Sequence, residues 1–355
     1  MRICVLIFVL FASCDYSGST LSEYYGKEIN QVITFDDFIE IIPTDSINFP
    51  ESLSLPRSMH PIGDNLLFPD GRTDYVLHLY DPKNEILLAN FLKRGEGPLE
   101  VTNLMGINSI DNERFVGVDA RTMDVLVYSN SHRENEELEL IDRFENPFES
   151  KASKVFLIDQ SLVGYSRGSQ PYTIVKYDTV KKIYEGLNES LSIEMHDNLD
   201  SVIVNQAFFQ GGNLQRGLGD IVFNFMRYAP IYEKLPLNKA NTERITTMIG
   251  EGWDIEYQVY KSSIGLIANK TRLGFIDATC NDKYIYALYS GDIVVAKPGY
   301  SREGKFIFKI DRKTGDLVNT YKCDNGLSRI AVIKNILYAY NLNNSEKIYV
   351  FNLSG

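Results

Sequence analysis

Tyr284-Ile-Tyr-Ala-Leu-Tyr289 and, one loop later, Phe306-Ile-Phe-Lys-Ile310 are two short apolar runs rich in aromatic and β-branched residues, and the same pair recurs along the chain. Runs of this length and composition read as strands rather than helices. The recurrence matters more than either run.

Runs of the first kind are Asn65-Leu-Leu-Phe68, Arg114-Phe-Val-Gly-Val118, Ser161-Leu-Val-Gly-Tyr165, Ile221-Val-Phe-Asn-Phe225, Tyr284–Tyr289 and Ile336-Leu-Tyr-Ala-Tyr340. Each is followed by a run of the second kind: Tyr75–Tyr80, Val125–Tyr128, Tyr172–Tyr177, Ala229–Tyr232, Phe306–Ile310 and Ile348–Phe351. The second runs return at intervals of roughly 40–80 residues, the spacing of four-stranded propeller blades. Turn residues such as Asp81-Pro-Lys-Asn84 and Asp311-Arg-Lys-Thr-Gly315 lead from the second run into an outer strand. The fold expected is therefore all-β, a six-bladed β-propeller. The longest interval marks an insertion over roughly Leu235–Lys270 that holds Trp253, the one tryptophan.

The last repeat stops at Gly355 without an outer strand. The segment Ile33–Pro43 is expected to supply it, so that an N-terminal strand closes the last blade and removes the open edges. A short helix is predicted over Asn241–Ile249, where Asn or Thr precedes Glu243 in a capping pattern.

A chain of 355 residues with 44% apolar side chains can bury a large core, and its formal charge of -11 argues against nucleic acid, whose binding requires a basic face. The N-terminus joins Arg2 to an apolar run from Ile3 to Ala12 and ends Phe11-Ala-Ser-Cys14. The run is too short to span a membrane and reads as a secretion signal. A cysteine directly after the small residues resembles a bacterial lipobox, with Phe11 where leucine is usual. The organisation expected is a signal peptide over residues 1–13, lipidated Cys14 with a polar tether over 14–31, and the propeller over 32–355. Several acyl chains on Cys14 would anchor the protein stably without spanning the bilayer.

This lipobox, the corner Lys93-Arg-Gly-Glu-Gly-Pro98, the segment Asp282-Lys-Tyr-Ile-Tyr-Ala-Leu-Tyr-Ser-Gly291 and the terminal Ile336–Tyr340 and Lys347-Ile-Tyr-Val-Phe-Asn-Leu353 together resemble the TolB-like six-bladed propeller lipoproteins of Bacteroidetes. The resemblance covers Ile33 to Gly355 and implies the fold and an envelope location, but no activity. Asp15 follows the lipobox cysteine and no dense acidic run comes after it, so the periplasmic face of a membrane is expected, with the cell surface open.

Signatures of chemistry are sparse. His60, His78, His132 and His196 have no metal-ligand spacing, and the chain lacks a serine elbow, a Walker loop and a calcium loop, so neither a metal nor another cofactor is expected. His78, in an apolar strand, reads as a satisfied core residue. Cys280 and Cys323, the cysteines left beyond Cys14, would form a disulfide or stay as two buried thiols.

In a propeller the first strand of each blade lines the central channel. Arg57, Arg272 and Arg329 stand near the starts of three such strands, and His60 lies three residues after Arg57 at the first of them, so these residues are candidates for a funnel site that takes an anion through the guanidinium fork. Pairing with Asp and Glu at blade junctions is the competing role for the arginines. The stretch Phe91-Leu-Lys-Arg-Gly-Glu-Gly-Pro-Leu-Glu100 follows an outer strand rather than leading into a helix, so its glycines read as a corner and not a phosphate cradle. Arg94 in that corner is the fifth funnel candidate. The function expected is a lipid-anchored binding scaffold, non-catalytic, for an envelope protein or a small anionic or carbohydrate ligand. The alternative is a channel-mouth hydrolase or lyase acting on carbohydrate or peptide.

Overall fold

The computed structural model describes residues 29–34, 37–50, 53–54, 56–97, 100–130, 138–148, 154–165, 174–187, 212–238, 244–250, 257–260, 263–266, 270–294 and 302–353. Residues 1–13, Cys14, Pro98, His132, His196 and Trp253 lie outside them. All regular structure among the described residues is β.

Blade 1 comprises His60–Ile62, Asn65–Pro69, Tyr75–Asp81 and Ile86–Lys93, and blade 2 comprises Leu104–Ser109, Arg114–Asp119, Val125–Ser129 and Glu139–Phe144. Blade 3 is built from Val155–Ile158, Ser161–Tyr165, Ile174–Asp178 and Ile183–Gly186; blade 4 from Asn213–Arg216, Ile221–Phe225, Ile231–Pro236 and Ile245–Ile249. Blade 5 holds Phe275–Cys280, Tyr284–Tyr289, Gly304–Asp311 and Leu317–Leu327. Blade 6 has Arg329–Ile333, Ile336–Asn341 and Asn344–Asn352 from the C-terminal end of the chain and Asp45–Asn48 from the N-terminal part. The molecule is a six-bladed β-propeller whose last blade is closed by an N-terminal strand.

That strand lies later in the chain than the sequence suggests. Asp45–Asn48 pairs antiparallel with the end of blade 6, Ile47 facing Ile348. Residues from Ile33–Pro43 instead reinforce other blades. Gln31–Ile33 runs parallel to the outer strand of blade 4, with Val32 opposite Met248, and Ile39–Glu40 runs parallel to that of blade 5, with Ile39 opposite Tyr321. The chain therefore follows the outer edges of blades 4, 5 and 6 before starting blade 1. Asn30, expected in the tether, accepts from the Thr246 amide and donates its own amide to the Thr246 carbonyl, so the ordered fold includes it.

The helix expected over Asn241–Ile249 is a strand in its described part. Ile245–Ile249 pairs with blade 4 on one side and with Gln31–Ile33 on the other, which satisfies its backbone groups laterally. The β-branched Ile-Thr-Thr sequence suits that setting. The insertion consequently falls between Ile249 and Phe275, where Tyr257–Tyr260 and Ser263–Leu266 pair as a separate hairpin.

Both faces of the blades are covered, which explains the near-continuous apolar runs. Buried clusters join blades 1 and 2, blades 2 to 4, blades 4 and 5, blades 5 and 6, and blades 6 and 1, closing the ring. Phe275 sits at the blade 4 and 5 junction, with ring centroids of Phe225, Tyr289 and Phe308 at 5.2, 5.3 and 6.0 Å. Such edge-to-face arrangements contribute about 0.5–1.5 kcal/mol per pair beyond burial. Gly274, just before it, has no room for a side chain: a Cβ there would meet the Ala229 carbonyl oxygen at 2.1 Å.

Candidate functional site

The first strands surround an axial cavity of about 650 Å³ to which all six blades contribute. Its lining is polar and charged at both ends. At the end where first strands turn into second strands, Arg312 donates from Nε to the Arg216 carbonyl at 3.1 Å, from Nη2 to the Gly217 carbonyl at 3.1 Å, and from Nη1 to the Asn281 carbonyl. Lys334 pairs with Asp64 at 2.9 Å beside it. These groups are consumed in holding the rim together.

The other end, where first strands begin, is different. Lys154 immediately precedes the first strand of blade 3, Arg329 opens that of blade 6, and Arg227 lies in the loop after Phe225 of blade 4. The Arg227 loop is fixed by the start of blade 5, because the Gly274 and Phe275 amides donate to the Arg227 and Met226 carbonyls at 2.7 and 2.9 Å. Arg329 donates from Nε to the Arg57 carbonyl at 2.5 Å and from Nη1 to the Ser328 carbonyl at 2.6 Å. Lys154 donates to Oδ1 of Asn213.

Among the described residues, one carboxylate faces these cations. Asp277 follows a register shift in the first strand of blade 5, and its Oδ2 accepts from the Ile330 amide at 3.0 Å. A bulge of this kind re-aims a side chain next to functional sites. Burial raises the Asp277 carboxyl while Arg329 and Lys154 oppose that shift. Burial likewise lowers the Lys154 ammonium to about 8, helped by Arg227 and Arg329 and opposed by Asp277. The Arg227 guanidinium is also lowered, by burial first and then by Arg302. His60 falls to about 3 through burial and the charges of Lys154 and Arg329, so its ring is neutral at physiological pH.

Two polar atoms in the lining lack a partner. Nδ2 of Asn213, a residue only 2% exposed, makes no hydrogen bond, and neither does Nε2 of His60. Leaving a buried donor unpaired costs about 1–3 kcal/mol, so each is a position that a bound molecule would satisfy.

Of the five funnel residues expected from sequence, Arg57, His60 and Arg329 line the cavity. Arg94 and Arg272 are not in its lining. Arg94 donates from Nε to the Thr73 carbonyl and from Nη2 to the Asp70 carbonyl, both at 2.7 Å, and from Nη1 to the Thr102 carbonyl. It clamps the blade 1 to blade 2 crossing, and Glu100 braces the corner by accepting from the Gly97 amide at 2.9 Å. Arg272 donates to the Gly291 carbonyl at 3.0 Å and is exposed. The carboxylate pairing considered for the strand-start arginines is replaced at Arg272 and Arg329 by hydrogen bonds to main-chain carbonyls.

His78 is the satisfied core residue expected, its ring nitrogens bonded to Asn90 and Thr73 at 2.6 and 2.9 Å. Cys280 and Cys323 are free thiols. No group of three His, Cys, Asp or Glu among the described residues is placed to hold a metal ion.

Lys154, Arg227, Asp277 and Asn213 escaped the sequence reading. Lys154 occupies the place before Val155 that Arg329 occupies before Ile330, so a search for any cation at the start of a first strand would have found it. Arg227 sits in Met226-Arg-Tyr-Ala-Pro230, a loop with no periodic signal.

No protein-family model matches the chain, and no curated protein matches it in sequence. Among solved structures, a protein of Bacteroides fragilis classed by inference as exported is similar to it at a TM-score of 0.56 and 13% identity, over 90% of this chain and 99% of that one. The β-propeller domain of Cps50 (Swd1) from Myceliophteria thermophila is matched at a TM-score of 0.45 and 12% identity, over 88% and 99% of the two chains. At such identities the first likeness is one of fold.

Proposed function

We propose that this protein is a lipid-anchored binding propeller of the cell envelope, held by Cys14 on the periplasmic face of a membrane, which takes a ligand or an envelope partner at the mouth of its axial channel. The observation that carries the binding role is the cavity of about 650 Å³ lined from all six blades, with unpartnered polar atoms of Asn213 and His60 on its wall. A concave site with a few convergent polar groups is where a small ligand is expected to bind. The lipobox Phe11–Cys14 supports the anchor, and the Bacteroides fragilis neighbour is compatible with export.

The test is a thermal-shift screen of the full-length protein in detergent micelles against sugars, peptides, nucleotides, metal ions and organic acids. A ligand that binds only the folded state raises its melting temperature. The binding role requires at least one class to do so, with the effect lost when the channel is altered at Lys154. A flat response across all classes contradicts it. The anchor is tested separately by Cys14→Ala, which should move the protein out of the membrane fraction.

A second reading, a channel-mouth hydrolase or lyase acting on carbohydrate or peptide, is favoured by one observation. Lys154 is lowered to about 8 beside Asp277, whose carboxyl is raised, and paired shifts of this kind suit acid and base roles. Turnover of an oligosaccharide or peptide pool that disappears in Lys154→Met would establish it.

A further inference from the structure

We infer that the channel end bounded by Lys154, Arg227 and Arg329 is an anion-binding site for a small organic dicarboxylate, with Asn213 as the neutral donor that completes it. This inference rests on the binding role proposed above and names the ligand class.

Lys154, Arg227 and Arg329, from three blades, lie on one stretch of the cavity wall, and Asp277 is the carboxylate beside them among the described residues. With the His60 ring neutral and Arg57 also on the lining, positive charges outnumber the Asp277 carboxylate by at least two among the described residues at this end. Charges in a partly desolvated wall interact far more strongly than in bulk water, so a positive excess of two or more calls for a dianion. The geometry also leaves donors free. Arg329 uses Nε and Nη1 on main-chain carbonyls, leaving Nη2, and the Arg227 guanidinium, unlike its carbonyl, makes no hydrogen bond to another described residue.

Asn213 supplies an independent observation. The Lys154 ammonium binds its Oδ1, which fixes the amide so that Nδ2 is the group left without a partner, and the residue is 98% buried. A buried N–H with nothing to donate to is satisfied by an acceptor oxygen arriving from the cavity. Arg302, the next cation along, is already engaged: it donates to the Tyr228 hydroxyl at 2.6 Å and stacks on its ring, and so stands outside the site. The cavity of about 650 Å³ runs between both channel ends and is in the range of sites for organic ligands, so it has room for a dicarboxylate whose two ends reach cations on different blades.

The experiment is calorimetric titration of the full-length protein in micelles with succinate and, separately, inorganic phosphate. Succinate is expected to bind more tightly than phosphate, to weaken about tenfold or more in Arg227→Gln and Arg329→Gln, and to tighten several-fold in Asp277→Asn, which removes the competing charge and keeps an acceptor for Ile330. The melting temperature of each variant shows whether it folds. The opposite sign expected for Asp277→Asn separates a loss of charge from a loss of structure. Succinate binding that is absent, or that is unchanged in all three variants, overturns the inference. Tighter binding of phosphate than succinate overturns the dicarboxylate assignment. A neutral sugar or peptide that stabilises the protein in the wider screen would leave the binding role standing after either failure.

Discussion

The ammonium of Lys154 donates to the side-chain oxygen of Asn213, so the two residues that open the channel strands of blades 3 and 4 are joined at the cavity wall. The contact uses the acceptor of Asn213 and leaves its donor bare. It also holds a cation whose proton is less firmly bound than that of an exposed lysine, which makes the site sensitive to pH.

His60 provides the acid side of that sensitivity. Its folded pKa is about 3 against an ordinary value of 6.5, so between these values the unfolded chain holds a proton that the folded chain does not. Stability from this group is fully present above pH 6.5 and is lost as pH falls toward 3. Lys154 and Arg329, facing the ring, set the electrostatic part of the shift. His60→Gln should show a shallower fall in unfolding free energy than wild type over this window in denaturant titrations. Parallel curves would contradict the assignment.

Lys154 gives the alkaline counterpart. Its pKa falls from 10.5 to about 8 on folding, so above pH 8 the folded state sheds a proton that the unfolded state keeps, and the cost of burying the charge is relieved as pH rises toward 10.5. Asp277 opposes this shift, while Arg227 and Arg329 promote it; His60 nearby is already neutral. The difference in stability between wild type and Lys154→Met should therefore shift in favour of wild type between pH 8 and 9.5. A difference that stays constant contradicts the lowered pKa.

Arg94 tests the distinction between a structural and a binding arginine. Its three donors end on the Thr73, Asp70 and Thr102 carbonyls. Arg94→Met should lower stability by about 1.5–3 kcal/mol, the range for hydrogen bonds to a charged group, with succinate affinity unchanged once the protein is folded. An affinity loss matching that of Arg329→Gln would return Arg94 to the funnel.

The N-terminal belt separates reinforcement from closure. A chain beginning at residue 43 loses the strands on blades 4 and 5, with Ile33 and Ile41, which pack on the core clusters, but retains Asp45–Asn48. It should fold with a stability lower by about 2–4 kcal/mol, from the apolar burial lost. A chain beginning at residue 50 lacks the outer strand of blade 6 and should fail to give a cooperative unfolding transition. Equal behaviour of the two truncations would mean that blade closure is not the controlling feature.

Gly274 ties packing to the site. A Cβ there would meet the Ala229 and Met226 carbonyl oxygens at 2.1 and 2.7 Å, in the loop that carries Arg227, whereas one at Gly71 meets nothing within 4 Å. Gly274→Ala should cost about 1–3 kcal/mol and weaken succinate binding, since the backbone must move, and Gly71→Ala should be neutral in both. Melting temperatures and titrations of the pair decide it.

These comparisons explain what was legible in the sequence. Strands such as Tyr284–Tyr289 are packed on both faces, so their apolar character survives as a continuous run and the repeat is visible. Asp45–Asn48 is an edge strand with a single buried side chain, Ile47, so its pattern is faint and the more apolar Ile33–Pro43 drew the assignment. Ile245–Ile249 carries a helix-cap pattern upstream that pairing on both sides overrides. At the site, Arg329 was legible because its place before a channel strand is a property of the repeat. Asp277 was hidden because a bulge sets its direction, and Arg227 because a loop held from the next blade carries it. Arg94 shows the converse: a glycine corner announces a turn and says nothing about which carbonyls its arginine will reach.

If the channel end around Lys154, Arg227 and Arg329 holds the ligand, hydrogen exchange of the full-length protein with and without succinate registers it at the backbone. Slower exchange is expected for amides in the Arg227 loop, residues 226–229, and at the starts of the channel strands at 154–156 and 329–331, with the outer strands unchanged. Unaltered exchange in all three segments at saturating succinate, or protection confined to the outer edges of the blades, would contradict it.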